Sequence, residues 1–138
     1  MSTQSLLTVL SFLAFFAVCE CRKTNVTIVN DLGTDLTFHC KSKDNDLGSH
    51  FLSPNFAWYF DFERNVFDTT LFFCKFIWGN EEHWFDVVNQ KQDHCGKFSF
   101  LCIYKIRVGG PCLLDELTRK NYQCYPWNPR KLNSKRGI

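Results

Sequence analysis

Two histidine–cysteine neighbours are the residues that could support nucleophilic chemistry in this chain. His39 precedes Cys40, and His94 precedes Cys95. A thiol is activated when a nearby imidazole accepts its proton. Adjacent side chains of a strand point to opposite faces, so adjacency there argues against contact between the histidine and the cysteine. The sequence therefore predicts no catalytic cysteine.

Metal and cofactor motifs are also incomplete. No C-x-x-C pair indicates zinc, and no G-x-S-x-G, Gly-rich phosphate loop or nucleotide fingerprint occurs. Asp44, Asp46 and Gly48 have calcium-loop spacing, but Asn55 stands where a bidentate acid is expected. Glu81-Glu82 beside His83 is interpreted as a solvated rim. We predict no enzyme activity, no catalytic residue, no metal and no cofactor.

Residues 1–19 are interpreted as a signal peptide. Ser5–Cys19 contains no charge and, at about fifteen residues, is shorter than the roughly 20 that span a bilayer. Ala17 and Cys19 are small residues suited to a cut before Glu20. A cut as late as Cys21 remains open, because the earlier one leaves an odd number of cysteines. The protein is predicted to be secreted and extracellular.

The cysteines of a secreted chain are expected to form disulfides. The sequence contains eight cysteines in 138 residues, and the disulfide candidates are Cys40, Cys74, Cys95, Cys102, Cys112 and Cys124. The first four allow three connectivities, and sequence does not choose among them. Bridges between sheets are expected for these four, whereas Cys112 and Cys124 are predicted to pair locally.

The stretch Leu71–Trp78 predicts the strand that organises the domain. Alternation places Phe72, Cys74, Phe76 and Trp78 on one wholly apolar face. Its length of eight residues suits a strand better than a helix. We therefore predict a central strand with Cys74 directed into the core.

Other short alternating stretches predict further strands. They are Thr24–Asn30, Thr34–Cys40, Ser49–Leu52, Phe56–Phe62, Glu82–Asn89, Phe98–Ile106 and Cys112–Leu117. The first two are expected to form a hairpin around Asp31-Leu32-Gly33, and Phe56 and Phe100 are expected to point inward. The fold class is all-β: a small, disulfide-stabilised, antiparallel β-sandwich, immunoglobulin-like in architecture, over residues 20–129.

Surface features concern modification and charge. Asn25-Val26-Thr27 is an N-glycosylation sequon, although a sequon inside a strand can stay unmodified.

Residues 20–129 hold 12 basic and 14 acidic residues, a net of −2, whereas residues 130–138 carry +4. This basic tail is expected to be mobile and to contact acidic wall polymers or membrane surfaces weakly. No nucleic-acid partner is expected, and the protein is predicted to be a monomer.

Several of these segments together resemble the plant self-incompatibility protein family, which comprises the poppy-type S-proteins and S-protein homologues. They are VTIVNDLGTDLTFHCKSKDNDLG, FAWYFDF, FFCKFIW, the Cys95…Cys102 pair and the terminal YPW. The resemblance implies a secreted, disulfide-held β-sandwich that acts as an extracellular ligand of a membrane receptor, without enzymatic activity. The chain departs from the family pattern at Tyr104, where Trp is usual, at Gly109-Gly110-Pro111, and in its extra Cys112 and Cys124.

The resulting hypothesis is a cell–cell signalling ligand in pollen–pistil self-incompatibility or related plant reproduction or development. Candidate receptor-binding residues lie in the polar connections Lys41–Gly48 and Glu63–Thr70. They are Lys41, Lys43, Asp44, Asp46, Glu63, Arg64 and Asp68. The alternative interpretation is that both connections are solvated turns without a binding role. One alternative function is a ribonuclease-like hydrolase, but neither His39 nor His83 lies in an H-G-L-W-type motif. Another is an effector that binds walls or membranes through its tail.

Overall fold

Nine strands form two sheets in the computed structural model, which describes residues 23–63, 70–89, 95, 100–115 and 118–129. The strands are β1 (Lys23–Asn30), β2 (Leu36–Lys41), β3 (Asp46–Leu52), β4 (Ala57–Glu63), β5 (Leu71–Trp78), β6 (Glu81–Asn89), β7 (Leu101–Arg107), β8 (Gly110–Leu114) and β9 (Tyr122–Cys124). The signal-peptide prediction, Arg64, Asp68 and the basic tail lie outside the described residues.

The sheets have the strand orders β4-β1-β7-β8-β9 and β3-β2-β5-β6. Strand β5 lies between β2 and β6, as its predicted central position requires. All strand pairs between these neighbours are antiparallel except β1–β7, which is parallel. The predicted all-β sandwich is confirmed, with this one parallel pair as an exception to its antiparallel character.

The core forms where the alternating apolar faces of the two sheets meet. On β5 the four residues of the predicted inward face, Phe72 to Trp78 at every second position, are all buried. The opposite sheet contributes Val26, Ile28 and Tyr104, which have no exposed surface. The Tyr104 hydroxyl donates a hydrogen bond to the Val87 carbonyl oxygen at 2.8 Å, so this buried polar group is paired.

The predicted hairpin between the first two strands is wrong, because β1 and β2 belong to different sheets. The buried Asn30 side chain holds the connection. Its amide nitrogen donates to the carbonyl oxygens of Thr34 at 2.8 Å and Leu52 at 2.9 Å, and its oxygen accepts from Leu32 N at 3.1 Å. The Asp-Leu-Gly segment therefore turns the chain from one sheet to the other.

The described residues form three disulfides, Cys40–Cys74, Cys95–Cys102 and Cys112–Cys124. Cys40 and Cys74 face each other on neighbouring strands of one sheet, with Cα atoms 4.0 Å apart. The prediction of a bridge between sheets is wrong for this pair, because β2 and β5 pair with each other within one sheet. The local pairing of Cys112 with Cys124 is as predicted.

Two aromatic residues assigned to the core are exposed instead. Phe56 is 66% exposed and Phe100 is 53% exposed. Each precedes the first residue of its strand, since β4 begins at Ala57 and β7 at Leu101. Alternation assigned them a face, but the pleated ladder that enforces the alternation begins one residue later.

The C-terminal segment closes the sandwich beside β8. Tyr125 N donates to the Pro111 carbonyl oxygen at 2.9 Å, and the Tyr125 ring stacks on Phe85. Gly110 has φ +143°, and a Cβ there would lie 1.9 Å from the Tyr125 carbonyl oxygen. Only glycine permits this approach of the segment to the first residue of β8.

Candidate recognition surface

The two segments proposed for recognition leave the sandwich at the same end. Strand β2 ends at Lys41 and β3 begins at Asp46, while β4 ends at Glu63 and β5 begins at Leu71. Antiparallel pairing of β2 with β5 places Lys41 opposite Phe73, near the start of β5. Contact between the rings of Phe62 and Phe72, 5.3 Å apart, brings the end of β4 to this place. We call it the β2–β3 end.

The turn between β2 and β3 presents charge at its tip. Lys43 and Asp44 are both exposed. Ser42 N donates to the Asn45 carbonyl oxygen at 2.8 Å, and Asn45 N donates to Ser42 Oγ at 3.1 Å, which closes a tight turn. The two charged side chains thus stand on a backbone fixed by its own hydrogen bonds.

The predicted solvated loop Lys41–Gly48 is too long, because its two ends belong to strands. Lys41 is the last residue of β2, and Asp46, Leu47 and Gly48 begin β3. The ladder pairs Lys41 with Asp46 after a register shift that follows His39. This irregularity extends the hairpin into a polar stretch whose sequence lacks clean alternation.

Asp46 secures the base of the turn. Its carboxylate accepts hydrogen bonds from His39 Nε2 and from Gly48 N, the latter at 2.9 Å. The hydrogen bond from His39 is the main reason that the pKa of Asp46 lies below its usual value, and the Gly48 amide adds to it. Asp46 therefore supports the turn, whereas Lys43 and Asp44 remain the surface groups.

The remaining candidates of this end are only partly described. Glu63 is exposed at the end of β4 and lies opposite Lys23 on β1. Arg64 and Asp68 fall outside the described residues. Lys41 is half-buried at the end of β2. Thus the structure places Lys41, Lys43, Asp44, Asp46 and Glu63 at one end of the sandwich.

A further loop at the β2–β3 end was missed by the sequence interpretation. Strand β8 runs antiparallel to β7 and ends at Leu114, and Arg119 and Lys120 follow in exposed positions before β9. Asp115 organises this loop, since its carboxylate accepts from Thr118 Oγ1 at 2.9 Å and its carbonyl oxygen accepts from Arg119 N at 2.8 Å. The signal available was the polar run DELTRKN, which the predicted strand to Leu117 had partly absorbed.

Of the histidines considered for chemistry, His39 and His83 have structural partners, and His94 lies outside the described residues. His39 contacts Asp46, and His83 lies 2.8 Å from Glu81 Oε2. Cys40 is in a disulfide and supplies no thiol. Glu82 Oε1 lies 3.6 Å from Lys75 Nζ, and the Glu82 side chain is exposed to solvent. Within the described ranges, no three His, Cys, Asp or Glu side chains are grouped so that they could hold a metal ion.

The sequon asparagine lies on the outer side of β1. Asn25 is half-buried between Asp61 of β4 and Leu101 of β7. Its Nδ2 donates to Asp61 Oδ1 at 3.0 Å, and Thr27 Oγ1 donates to its Oδ1 at 2.7 Å. The strand prediction for the sequon is confirmed, whereas its glycosylation stays a prediction.

These features define a class of protein: a small β-sandwich, braced by disulfides, that presents polar turns at one end. Residues 25–127 match the model of the family described as plant self-incompatibility protein S1. The chain belongs to this family, as its sequence resemblance indicated.

Curated relatives agree with this family assignment, and a solved structure shares the fold. S-protein homolog 2 of Arabidopsis thaliana is 47% identical over 111 residues, covering 77% of this chain and 69% of that protein. S-protein homolog 18 of the same plant is 43% identical over 117 residues, with 83% and 84% coverage. A structure of SPH (Self-Incompatibility Protein Homologue) proteins shares the fold, with TM-score 0.53, 22% identity and coverage of 79% of this chain and 97% of that one.

The described part of the chain contains no helix that could span a lipid bilayer.

Proposed function

We propose that this protein is a secreted, non-enzymatic ligand that binds the extracellular part of a membrane receptor in plant cell–cell signalling. Membership of the plant self-incompatibility protein S1 family supports the proposal. The solved SPH proteins are described as a widespread family of small, highly stable, secreted proteins from plants. Pollen–pistil self-incompatibility or a related reproductive or developmental process is the proposed setting.

The observation that carries the proposal is the hydrogen-bonded turn between β2 and β3. Exposed Lys43 and Asp44 stand on a turn held by Ser42, Asn45 and Asp46, and the Cys40–Cys74 disulfide joins β2 to β5. A preordered loop loses little conformational freedom when it binds, so more of its contact energy appears as affinity. Adjacent charges of opposite sign can set the orientation of a partner and exclude partners with the wrong charge pattern.

Charge reversal at the turn tests this surface. Asp44→Lys places like charges side by side at the tip, and we expect it to weaken saturable binding to receptor-bearing plant membranes about tenfold. Asp35→Lys is the matched control, because Asp35 is also an exposed acid between strands but lies in the β1–β2 connection at the opposite end. Binding of labelled wild-type protein and both variants would be measured with unlabelled protein as competitor.

Each contrary result overturns a defined part of the proposal. Equal binding by wild type and Asp44→Lys excludes the β2–β3 turn as the contact surface. Binding that unlabelled protein cannot displace excludes a receptor. Retention of the protein inside expressing cells, detected by immunoblot of cells and medium, contradicts secretion.

A further inference from the structure

The outer face of the five-stranded sheet has an apolar centre. Val26 and Ile28 point into the core, so Thr27 and Val29 point outward. Thr27 lies between Tyr59 and Ile103, and Val29 lies beside Ala57. Tyr59 is 63% exposed. We call Val29, Ala57, Tyr59, Leu101 and Ile103 the apolar patch.

Charged side chains border this patch. Lys23, Asp61 and Glu63 lie toward the β2–β3 end, and Lys105 lies beside Val29 toward the other end. A contiguous apolar patch with a polar rim is typical of a surface against which another group packs. The covering group must therefore combine apolar contact with hydrogen bonding at its edges.

Asn25 lies in the row of side chains next to Tyr59 and Thr27. It shares the outward face with both, because residues 25, 27 and 29 alternate with buried ones. Its Nδ2 gives one hydrogen to Asp61 Oδ1 at 3.0 Å, and an amide nitrogen carries two. An N-linked sugar replaces one hydrogen of this nitrogen, so the bond to Asp61 is compatible with modification.

We propose that an N-linked glycan on Asn25 covers the apolar patch. In the transfer, Asn25 Nδ2 bonds to the anomeric carbon of the first N-acetylglucosamine. The bond from that carbon to the diphosphate of a polyprenyl-linked oligosaccharide breaks, the polyprenyl diphosphate leaves, and Nδ2 loses a proton to the transferase. The step involves no oxidation or reduction.

The chemistry of the glycan suits this surface. Sugar rings have C–H faces that pack against aromatic rings such as Tyr59, and their hydroxyl groups can bond to Asp61 and Lys105 at the rim. The oligosaccharide transferase acts on the sequon while the chain is still extended, before β4 and β7 pair with β1. A position inside a strand therefore does not prevent its modification.

The proposal rests on the secreted part of the proposed function, because this transfer occurs in the secretory pathway. We would express the 138-residue chain in plant cells behind a foreign signal peptide, which ensures entry whether or not residues 1–19 act as one. Peptide-N-glycosidase A should lower the intact mass by one glycan and convert Asn25 to aspartate in peptide maps. Secreted protein without sugar on Asn25 would overturn the inference and leave the ligand proposal standing.

The covering role has its own matched variants. Thr27→Ala removes the sequon, whereas Thr27→Ser keeps both the hydroxyl and the sequon. We expect Thr27→Ala to self-associate at concentrations about tenfold lower than Thr27→Ser in sedimentation velocity, and to bind more hydrophobic dye. Tyr59→Ser added to Thr27→Ala should reverse both effects. If Thr27→Ala self-associates no more and binds no more hydrophobic dye than Thr27→Ser, the proposal that the glycan covers the apolar patch is wrong.

Enzymatic deglycosylation of the folded wild type keeps this test decisive if Thr27→Ala fails to fold. The treated protein keeps Thr27, carries aspartate in place of Asn25, and exposes the same apolar patch. Increased self-association after treatment supports the proposal, and unchanged sedimentation contradicts it.

Discussion

The indole of Trp127 stacks on the imidazole of His83, with ring centroids 5.0 Å apart and planes 19° apart. Trp127 also contacts Trp78 and Phe76 of β5 and donates from Nε1 to the Val108 carbonyl oxygen at 3.0 Å. A residue from the irregular C-terminal segment thus connects strands β5 and β6 of one sheet to the β7–β8 turn of the other. The terminal Tyr-Pro-Trp segment is part of the packed domain.

Trp127→Ala should therefore lower the free energy of unfolding by about 2–3 kcal/mol, less than the ~3–5 of a fully buried tryptophan because this one is half-buried. Urea unfolding followed by circular dichroism measures the change. Phe56→Ala is the control, because Phe56 is 66% exposed, and its effect should stay within about 0.5 kcal/mol. Equal effects of the two substitutions would contradict the closing role of Trp127.

Tyr104→Phe should remove the hydrogen bond to the Val87 carbonyl and cost about 1 kcal/mol at neutral pH. It should also flatten the alkaline loss of stability. Burial raises the pKa of Tyr104 well above its usual value, so only the unfolded chain ionises near pH 10. The stabilisation of the fold by the protonated Tyr104 hydroxyl is present below that pH and is lost as pH rises further.

Chemical unfolding between pH 8 and 11 tests this pair of effects. Tyr59→Phe removes an exposed tyrosine hydroxyl, serves as the control and should leave the stability at neutral pH unchanged. If the free energy of unfolding of Tyr104→Phe falls with rising pH as steeply as that of the wild type, the buried hydroxyl does not cause the loss of stability at alkaline pH.

Asp46→Asn should weaken the β2–β3 turn by removing the carboxylate that His39 and Gly48 contact. Because these contacts lower the pKa of Asp46, its stabilising effect is present above the ordinary aspartate value and is lost as pH falls through the lower folded value. The stability difference between wild type and Asp46→Asn should therefore shrink below about pH 4. Asp44→Asn, at the tip of the same turn, controls for loss of one charge.

NMR titration of the Asp46 carboxyl carbon measures this midpoint directly. A midpoint at or above the ordinary aspartate value would show that the contacts with His39 and Gly48 do not persist in solution.

The Cys112–Cys124 disulfide should be reduced before Cys40–Cys74. Cys124 is exposed, whereas Cys40 and Cys74 have no accessible surface, and thiol–disulfide exchange requires access to a sulfur atom. Stepwise reduction, alkylation and peptide mapping give the order. Earlier labelling of Cys40 or Cys74 would contradict the buried position of their bridge.

Removing the outer disulfide should destabilise the fold without abolishing it. Cys112→Ser with Cys124→Ser opens a loop whose ends are 12 residues apart, and loop entropy suggests a cost of about 3 kcal/mol. Thermal unfolding of the double variant measures this. No change in melting temperature would mean that strand pairing alone fixes β9 on β8.

Much of the local structure could be predicted because side-chain alternation encodes which face of a strand is buried. The pattern of Leu71–Trp78 placed Cys74 and its aromatic neighbours in the core, and the structure agrees. Alternation failed at Phe56 and Phe100, since a residue just outside the ladder need not follow the pleat. The short separation of Cys112 and Cys124 was likewise sufficient to predict their pairing.

Alternation does not specify which strands become neighbours, and that information came only from the tertiary structure. Strand β1 pairs with β7, more than seventy residues away, and not with β2. Buried Asn30 ties the intervening connection to Leu52, a contact that no local pattern reveals. Long-range pairing of β2 with β5 likewise places Cys40 beside Cys74 and brings the described recognition candidates to one end. Sequence determined the faces of the strands, whereas many weak long-range contacts, effective only together, decided their order.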